Sequence, residues 1–231
     1  MGDQKSVPIL KEVIYGNQEV GTYLALNNEY FFYPQKINPK IVEFIKQYQP
    51  DIVTLETFIA GSPVIGSFVA MNSFGMIVPD LIHDDELELL QKNTKKEFQI
   101  TSISFEDNAF GNLILCNDKG AIISPKLEEA RDIIEKALKV PTRVLRFADS
   151  DLAGSCGVAN NSGVLLHPMV TEEEAEIVGK TLKVDEVDVS TVNLGSPYLG
   201  GGVIVNDSVA IFGQNSTGPE LQRIMEILHL D

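Results

Sequence analysis

The segment FGNLILCNDKG, residues 110–120, contains an apolar residue, a glycine, five further residues and an asparagine, and this pattern occurs five times along the chain. The glycines of the five copies stand 45, 45, 43 and 46 residues apart. The five pairs are Gly21 with Asn27, Gly66 with Asn72, Gly111 with Asn117, Gly154 with Asn160, and Gly200 with Asn206. Such near-constant spacing over the whole chain predicts five copies of one structural unit.

Residues around the third copy predict how each unit begins. Residues 112–116 form an apolar run that favours a short strand, and residues 121–124 favour the return strand. Residues 117–120, Asn-Asp-Lys-Gly, are typical of a tight turn with positive φ, which glycine adopts freely and asparagine more easily than most residues. The unit is therefore expected to open with a β-hairpin.

A helix and a third strand are expected to complete the unit. Pro125 suits a first helical position, and the apolar residues Ile133, Ile134, Ala137 and Leu138 follow it at helical spacing. Other units start their predicted helices with Asn38-Pro39, with Thr171 and Glu174, and with Thr217 and Glu220. Segments rich in β-branched and apolar residues then end the first four units, at residues 51–57, 97–104, 142–148 and 187–192.

The fifth unit has no residues for a closing strand of its own, because its predicted helix ends almost at Asp231. The apolar segment 9–15 is the expected substitute, and its pairing with the fifth unit would cover both exposed sheet edges. We therefore expect an α/β protein, a closed five-fold pseudo-symmetric ring of ββαβ repeats. The single domain 1–231 would contain repeats 17–60, 61–106, 107–149, 150–195 and 196–231. An open stack of five units is the alternative.

Composition limits the function. The formal net charge of −15 argues against a broad basic surface for nucleic acid, so we expect no independent nucleic-acid binding. No apolar run approaches the roughly 20 residues that cross a bilayer, and we expect a cytoplasmic protein without a membrane partner. Cys116 and Cys156 are expected to be reduced, and neither belongs to a paired metal motif. We expect no metal and no cofactor.

Several segments resemble the translation initiation factor 6 family, a family of ribosome anti-association factors with the pentein fold. They are residues 113–118 with 121–125, residues 72–79, residues 165–168, and residues 191–196 with 205–207. The chain is more similar to the archaeal form, because it lacks the C-terminal tail of eukaryotic members. The resemblance implies a factor that binds the large (50S) subunit near the sarcin-ricin loop, mainly through a ribosomal protein. It would sterically block association with the small (30S) subunit without catalysis, and we expect a monomer.

The residue after each motif glycine is small or uncharged, and pseudo-symmetry places these residues on a common ring. They are Thr22, Ser67, Asn112, Ser155 and Gly201. One interpretation is close approach of strands around a narrow axis; the other is a flat mouth that docks on the ribosome. The family resemblance implies ribosome-binding positions at Gly21, Ser67, Asn72, Ser73 and Asn112. Ser67 and Ser73 stand where eukaryotic members commonly carry basic residues, so this chain lacks the side chains that would contact a phosphate there.

An enzyme is the rival hypothesis, because other pentein-fold proteins modify guanidino groups with a nucleophilic cysteine, a histidine and acidic partners. The residues of this chain that such a catalytic site could use are Cys116, Cys156 and His167. A competent set would have its cysteine in the fifth unit, where residues 212–216 contain none. The sequence therefore favours buried thiols and no catalytic residues.

Overall fold

The computed structural model describes residues 8–230 as five three-stranded sheets around one axis. In each sheet the middle strand pairs antiparallel with an inner strand on one side and parallel with an outer strand on the other. The inner strands are β2 (Ala25–Leu26), β5 (Ala70–Met71), β8 (Ile114–Cys116), β11 (Gly157–Ala159) and β14 (Val203–Val205). The middle strands are β3 (Tyr30–Tyr33), β6 (Gly75–Pro79), β9 (Ala121–Ile123), β12 (Gly163–Leu166) and β15 (Ala210–Gly213). The outer strands are β4 (Val53–Glu56), β7 (Gln99–Ile103), β10 (Thr142–Val144), β13 (Glu186–Val189) and β1 (Ile9–Glu12).

One long helix joins the middle strand to the outer strand in each of the first four units, and a fifth ends the last unit. They are α2 (Pro39–Tyr48), α4 (Asp84–Asn93), α6 (Arg131–Leu138), α7 (Glu172–Leu182) and α9 (Gly218–Leu228). The predicted helix starts are confirmed: the Asn38 side chain accepts from the Lys40 amide, and α7 and α9 begin with capping boxes. None of the helices in residues 8–230 is long and apolar enough to cross a membrane.

The first and last parts of the described chain meet in the fifth sheet. Strand β1 pairs parallel with β15, from Ile9 opposite Ala210 to Glu12 opposite Gly213. The Ala210 amide donates to the Pro8 carbonyl at 3.0 Å. The strand is shorter than the segment 9–15 expected for it, because Ile14 leaves the sheet and bridges to Asn17 in a turn. The repeat boundaries given above stay a prediction.

The motif asparagines form a closed ring of hydrogen bonds. Each side-chain amide donates to the backbone carbonyl of the asparagine in the next unit, and Asn206 donates back to Asn27 at 2.9 Å. All five asparagines are buried. Because buried polar groups are costly without partners, this ring fixes the units around one axis. The expected pentein-type closed ring is confirmed, and the open stack is excluded.

The motif glycines form a second closed ring. A Cβ on any of Gly21, Gly66, Gly111, Gly154 or Gly200 would lie closer than 3.0 Å to the carbonyl oxygen of the motif glycine in the neighbouring unit. The backbones of adjacent units are therefore in direct contact at these positions. Glycine is required there for close approach.

The start of the unit differs from the prediction. Single helical turns precede the inner strands in four units: α1 (Val20–Tyr23), α3 (Ile65–Phe68), α5 (Phe110–Leu113) and α8 (Leu199–Gly202). Asn112 and Leu113 therefore lie in a helical turn, and the predicted strand 112–116 begins only at Ile114. Each helical turn places the backbone of its motif glycine against the adjacent unit. We attribute the turn to this close contact.

The predicted positive φ in the Asn-x-x-Gly turn is wrong, since none of residues 117–120 has it. The Asn117 side-chain oxygen instead accepts from the amides of Lys119 and Gly120. Gly120 is required for space, because a Cβ there would lie closer than 3.0 Å to the Thr181 carbonyl. The asparagine shapes the turn through hydrogen bonds, and the glycine admits the helix of the next unit.

The helix of the third unit also differs from the prediction. Residues Pro125–Ala130 form a 3₁₀ helix before α6. Ile134, Ala137 and Leu138 are buried as expected, whereas Ile133 is 50% exposed. Ile133 therefore does not belong to the apolar face that packs against the sheets.

Candidate functional site at the two ends of the ring

The inner strands run along the axis from the motif glycines to the motif asparagines, so the ring has a glycine end and an asparagine end. The middle and outer strands end at the glycine end, where the long helices begin. The helices end at the asparagine end, where Asn72, Asn117 and Asn160 donate to the carbonyls of the last residues of α6, α7 and α9. The two ends therefore present different chemistry.

A network of polar side chains closes the asparagine end. Asn28 and Asn161 each donate to the carboxylates of Asp118 and Asp207, and Ser73 donates to Asp118. The space left beneath this network is only about 40 Å³. Since these groups satisfy one another, the network is suited to holding the ring closed.

The glycine end is open and has a floor of small residues. An axial channel of about 130 Å³ opens at the motif glycines and follows the inner strands as far as Leu26, Met71 and Cys116. The predicted small residues each follow a motif glycine and are half-buried: Thr22, Ser67, Asn112, Ser155 and Gly201. A partner could approach the backbone closely there.

The structure does not bring the five predicted site residues together. Gly21, Ser67 and Asn112 lie at the glycine end, whereas Asn72 and Ser73 lie at the asparagine end. Asn72 is only 2% exposed, and its amide donates to the Asn117 and Leu138 carbonyls. A single mouth therefore does not carry all five residues, because an inner strand separates the two groups; ribosome binding at these positions stays a prediction.

The glycine end is acidic. The first turns of α4 and α7 each carry three acidic residues, and α9 adds Glu220. Two basic side chains at this end, Lys126 and Arg146, are already paired with acidic neighbours. Lysines at the asparagine end instead lie near helix C-termini, where Lys119 and Lys139 donate to backbone carbonyls. Acidic side chains are therefore clustered at the starts of α4, α7 and α9 at the glycine end.

His167 lies at the glycine end and its role was missed from the sequence. Its Nδ1 accepts from the Met169 amide at 3.1 Å, and its ring packs edge-on against Tyr198, with 5.8 Å between centroids. His167 thereby joins a loop of the fourth unit to a loop of the fifth. The sequence marked His167 only through the family resemblance of residues 165–168 and through the rival enzyme hypothesis, because nothing in the sequence shows which loop a histidine will contact.

Stability is expected to fall when His167 is protonated. Burial lowers the pKa of this imidazole below its usual 6.5, and a protonated Nδ1 could no longer accept from Met169. The contribution of neutral His167 is therefore present above about pH 6.5 and is lost as pH falls below it. A His167→Asn variant keeps an acceptor at this position and does not titrate. Urea unfolding at pH 7 and pH 5 should show a larger loss for wild type; equal losses would contradict this role.

The two thiols are unsuited to nucleophilic chemistry. Cys116 lies in the axial channel, donates to the Met71 carbonyl at 3.4 Å, and burial raises its thiol pKa to about 12. Burial also raises the pKa of the Cys156 thiol. A nucleophilic cysteine needs a lowered pKa. Within residues 8–230, no group of three or more His, Cys, Asp or Glu side chains is placed to hold a metal ion.

Comparisons with known proteins find relatives over nearly the whole chain. A family model described as the eIF-6 family matches residues 9–227. Translation initiation factor 6 of Methanococcus maripaludis strain C6 is 35% identical over 225 residues, which is 96% of this chain and 99% of that protein. Translation initiation factor 6 of Pyrobaculum aerophilum is 33% identical over 216 residues, which is 93% of this chain and 96% of that protein.

Two solved structures are also similar. DDAH from Pseudomonas aeruginosa, complexed with citrulline, matches with a TM-score of 0.46 and 10% identity over 74% of this chain and 68% of its own. C. jejuni agmatine deiminase matches with a TM-score of 0.37 and 10% identity over 67% of this chain and 56% of its own. The family model, by contrast, covers nearly the whole chain. The archaeal relatives match over almost their full length at more than 30% identity. The chain belongs to the eIF-6 family.

Proposed function

We propose that this protein is a translation initiation factor that binds the large (50S) ribosomal subunit and prevents its association with the small (30S) subunit. Membership of the eIF-6 family and the names of the archaeal relatives support a role in translation. The factor would act by occupying space on the subunit rather than by chemistry. We place it in the cytoplasm as a monomer without metal or cofactor.

The glycine end is the proposed docking face. The observation that carries this choice is its combination of a small-residue floor with an acidic surround, next to the predicted positions Gly21, Ser67 and Asn112. Small floor residues permit close approach, and acidic side chains attract a basic ribosomal protein. Asn72 and Ser73 would then support the ring at the other end and make no contact with the ribosome.

The same charge explains why contact should be made mainly through protein. An acidic face is repelled by RNA phosphates, although physiological salt screens that repulsion beyond about 8 Å. A basic ribosomal protein near the sarcin-ricin loop can therefore hold the factor close to RNA. The protein would need no nucleic-acid affinity of its own.

Catalysis has no support from the thiols. Pentein-type guanidino chemistry needs an activated cysteine, and burial raises the thiol pKa of both Cys116 and Cys156. His167 is engaged with Met169 and Tyr198. We therefore propose a binding protein, without enzymatic activity and without a membrane partner.

An Asn112→Arg variant is expected to bind the large subunit at least about tenfold more weakly, because it adds bulk and positive charge opposite a basic partner. Ser208→Arg is the matched control. It adds the same side chain at the asparagine end, where Ser208 is also half-buried. Co-sedimentation with purified archaeal large subunits measures binding, and the yield of joined particles in a gradient of mixed subunits measures blocking.

Wild type and Ser208→Arg should bind the large subunit and deplete joined particles, whereas Asn112→Arg should restore joining. Circular dichroism should show that all three are folded. Wild type that leaves joining unaffected at saturation would refute the proposed function. If Ser208→Arg weakens binding and Asn112→Arg does not, the docking face is the asparagine end instead.

A further inference from the structure

The exposed apolar side chains are concentrated at the glycine end. Among residues 8–230, eleven large hydrophobic side chains are well exposed, and eight of these lie at this end. The eight are Val13, Tyr15, Leu81, Leu152, Met169, Val189, Leu194 and Tyr198. Single exposed apolar residues are ordinary, but a concentration on one face of a highly charged protein indicates a contact surface.

The two most exposed of these side chains lie in the fourth and fifth units. Leu194 is 71% exposed and Met169 is 67% exposed, and Tyr198 follows Leu194 in the same loop. The packing of His167 on Tyr198 brings the Met169 loop against the Tyr198 loop. We call Met169, Leu194 and Tyr198 the apolar sector.

The backbone conformation at Leu194 is unfavourable for a leucine. Leu194 has a φ of +64°, and Gly195 follows with +98°. Positive φ is unfavourable for leucine and easy for glycine or asparagine. An exposed leucine at such a turn neither relieves this strain nor buries apolar surface in the free protein. A partner that covers it would supply the missing burial.

Charge identifies the kind of partner. Glu172 and Glu173 begin α7 just after the Met169 loop, and the sector carries no basic residue of its own. An RNA surface would be repelled here, and two copies of this acidic face would repel each other. A basic protein segment with apolar or aromatic side chains fits both features, because its charges would meet the glutamates while its side chains cover the sector.

We propose that the apolar sector is the main anchor of the docking face and receives a basic, apolar-bearing segment of a protein on the large subunit. This proposal rests on the proposed function and adds which residues contribute most of the binding free energy. Interface energy is usually concentrated in a few aromatic and large apolar residues. The small-residue floor at Ser67 and Asn112 then provides complementarity, and the fourth and fifth units hold the partner.

The test compares two double variants in co-sedimentation with salt-washed archaeal large subunits. Met169→Ser with Tyr198→Ser should raise Kd by about tenfold or more. The matched control, Ile133→Ser with Phe74→Ser, removes one exposed aliphatic and one exposed aromatic side chain that lie away from the glycine end. It should change Kd by less than about threefold. Melting temperatures verify that each variant is folded.

A third variant, Met169→Lys, distinguishes the partner's chemistry. A lysine should weaken binding to a basic protein segment and strengthen binding to RNA phosphates, so tighter binding would overturn the proposal. Equal effects of the two double variants would also overturn it while leaving the proposed function intact. Wild type that does not bind the subunit would refute both. Sedimentation velocity on the protein alone tests whether the apolar sector binds a second copy of this chain. If the protein self-associates and the Met169 and Tyr198 substitutions abolish this, the sector is a dimer interface and the proposal is overturned.

Discussion

Removing residues 1–16 is expected to lower the melting temperature by about 10–20 °C, because it deletes the strand that closes the ring. Strand β1 pairs with β15 along four residues, and Ile14 is almost fully buried among side chains of the first unit. Deleting a buried isoleucine or leucine commonly costs about 2–5 kcal/mol. The deletion removes Ile14 and the partly buried Ile9 and Leu10 together, and it leaves β15 as an exposed edge.

A shorter deletion is the matched control. Removing residues 1–6 keeps Pro8, whose carbonyl accepts from the Ala210 amide, and keeps all of β1. The melting temperature should then change by less than about 2 °C. Differential scanning calorimetry of both variants measures the comparison. Equal, small shifts would show that β1 contributes little to ring closure.

The sequence was informative about the fold wherever one physical requirement recurs in every unit. Each copy of the motif needs a glycine where backbones of adjacent units touch and an asparagine whose amide reaches the next unit. The repeat spacing therefore predicted five units, and the missing last strand predicted closure through residues 9–15. Helix starts were also predictable, since capping residues such as Thr171 act locally.

Contacts between units were not predictable from a local pattern. The Asn-x-x-Gly turn has the composition of a positive-φ turn, yet Gly120 is required by the Thr181 carbonyl of the following unit. Likewise the helical turn at Phe110–Leu113 depends on the neighbouring glycine backbone. Residue spacing within one unit contains no information on such partners. The sequence correctly predicted the hairpin, but positive φ in its turn was the wrong reason for it.

The candidate site shows the same division. Ser67 and Asn112 were placed on one ring by pseudo-symmetry, and they do lie at the same end. Gly21, Asn72 and Ser73 were added by resemblance; Gly21 lies at that end too, whereas a strand's length separates Asn72 and Ser73 from it. The contact of His167 with Tyr198 joins loops 31 positions apart in sequence, which no periodic pattern marks. Docking at the glycine end remains a proposal that the subunit experiments test.

Replacing Gly111 with alanine is expected to cost about 3–5 kcal/mol, which would lower the melting temperature by about 6–20 °C. An added Cβ would lie closer than 3.0 Å to the carbonyl oxygens of both Gly66 and Val69. Those oxygens belong to backbone, which cannot rotate away as a side chain can. Because Gly66 is itself packed against Gly21, a shift at one unit must be absorbed by the whole ring.

Gly218→Ala separates this crowding from the general effect of adding a methyl group. Gly218 begins α9, has no atom within 4 Å of an added Cβ and does not have positive φ. Alanine there should be neutral or stabilising by a few tenths of a kcal/mol. Urea unfolding of both variants measures the difference. If Gly111→Ala is as stable as Gly218→Ala, the inner backbones are not in contact, and the small residues at the glycine end would no longer be explained by ring closure. Their remaining explanation would be the docking surface alone, which large-subunit binding by a folded Gly111→Ala variant would then test directly.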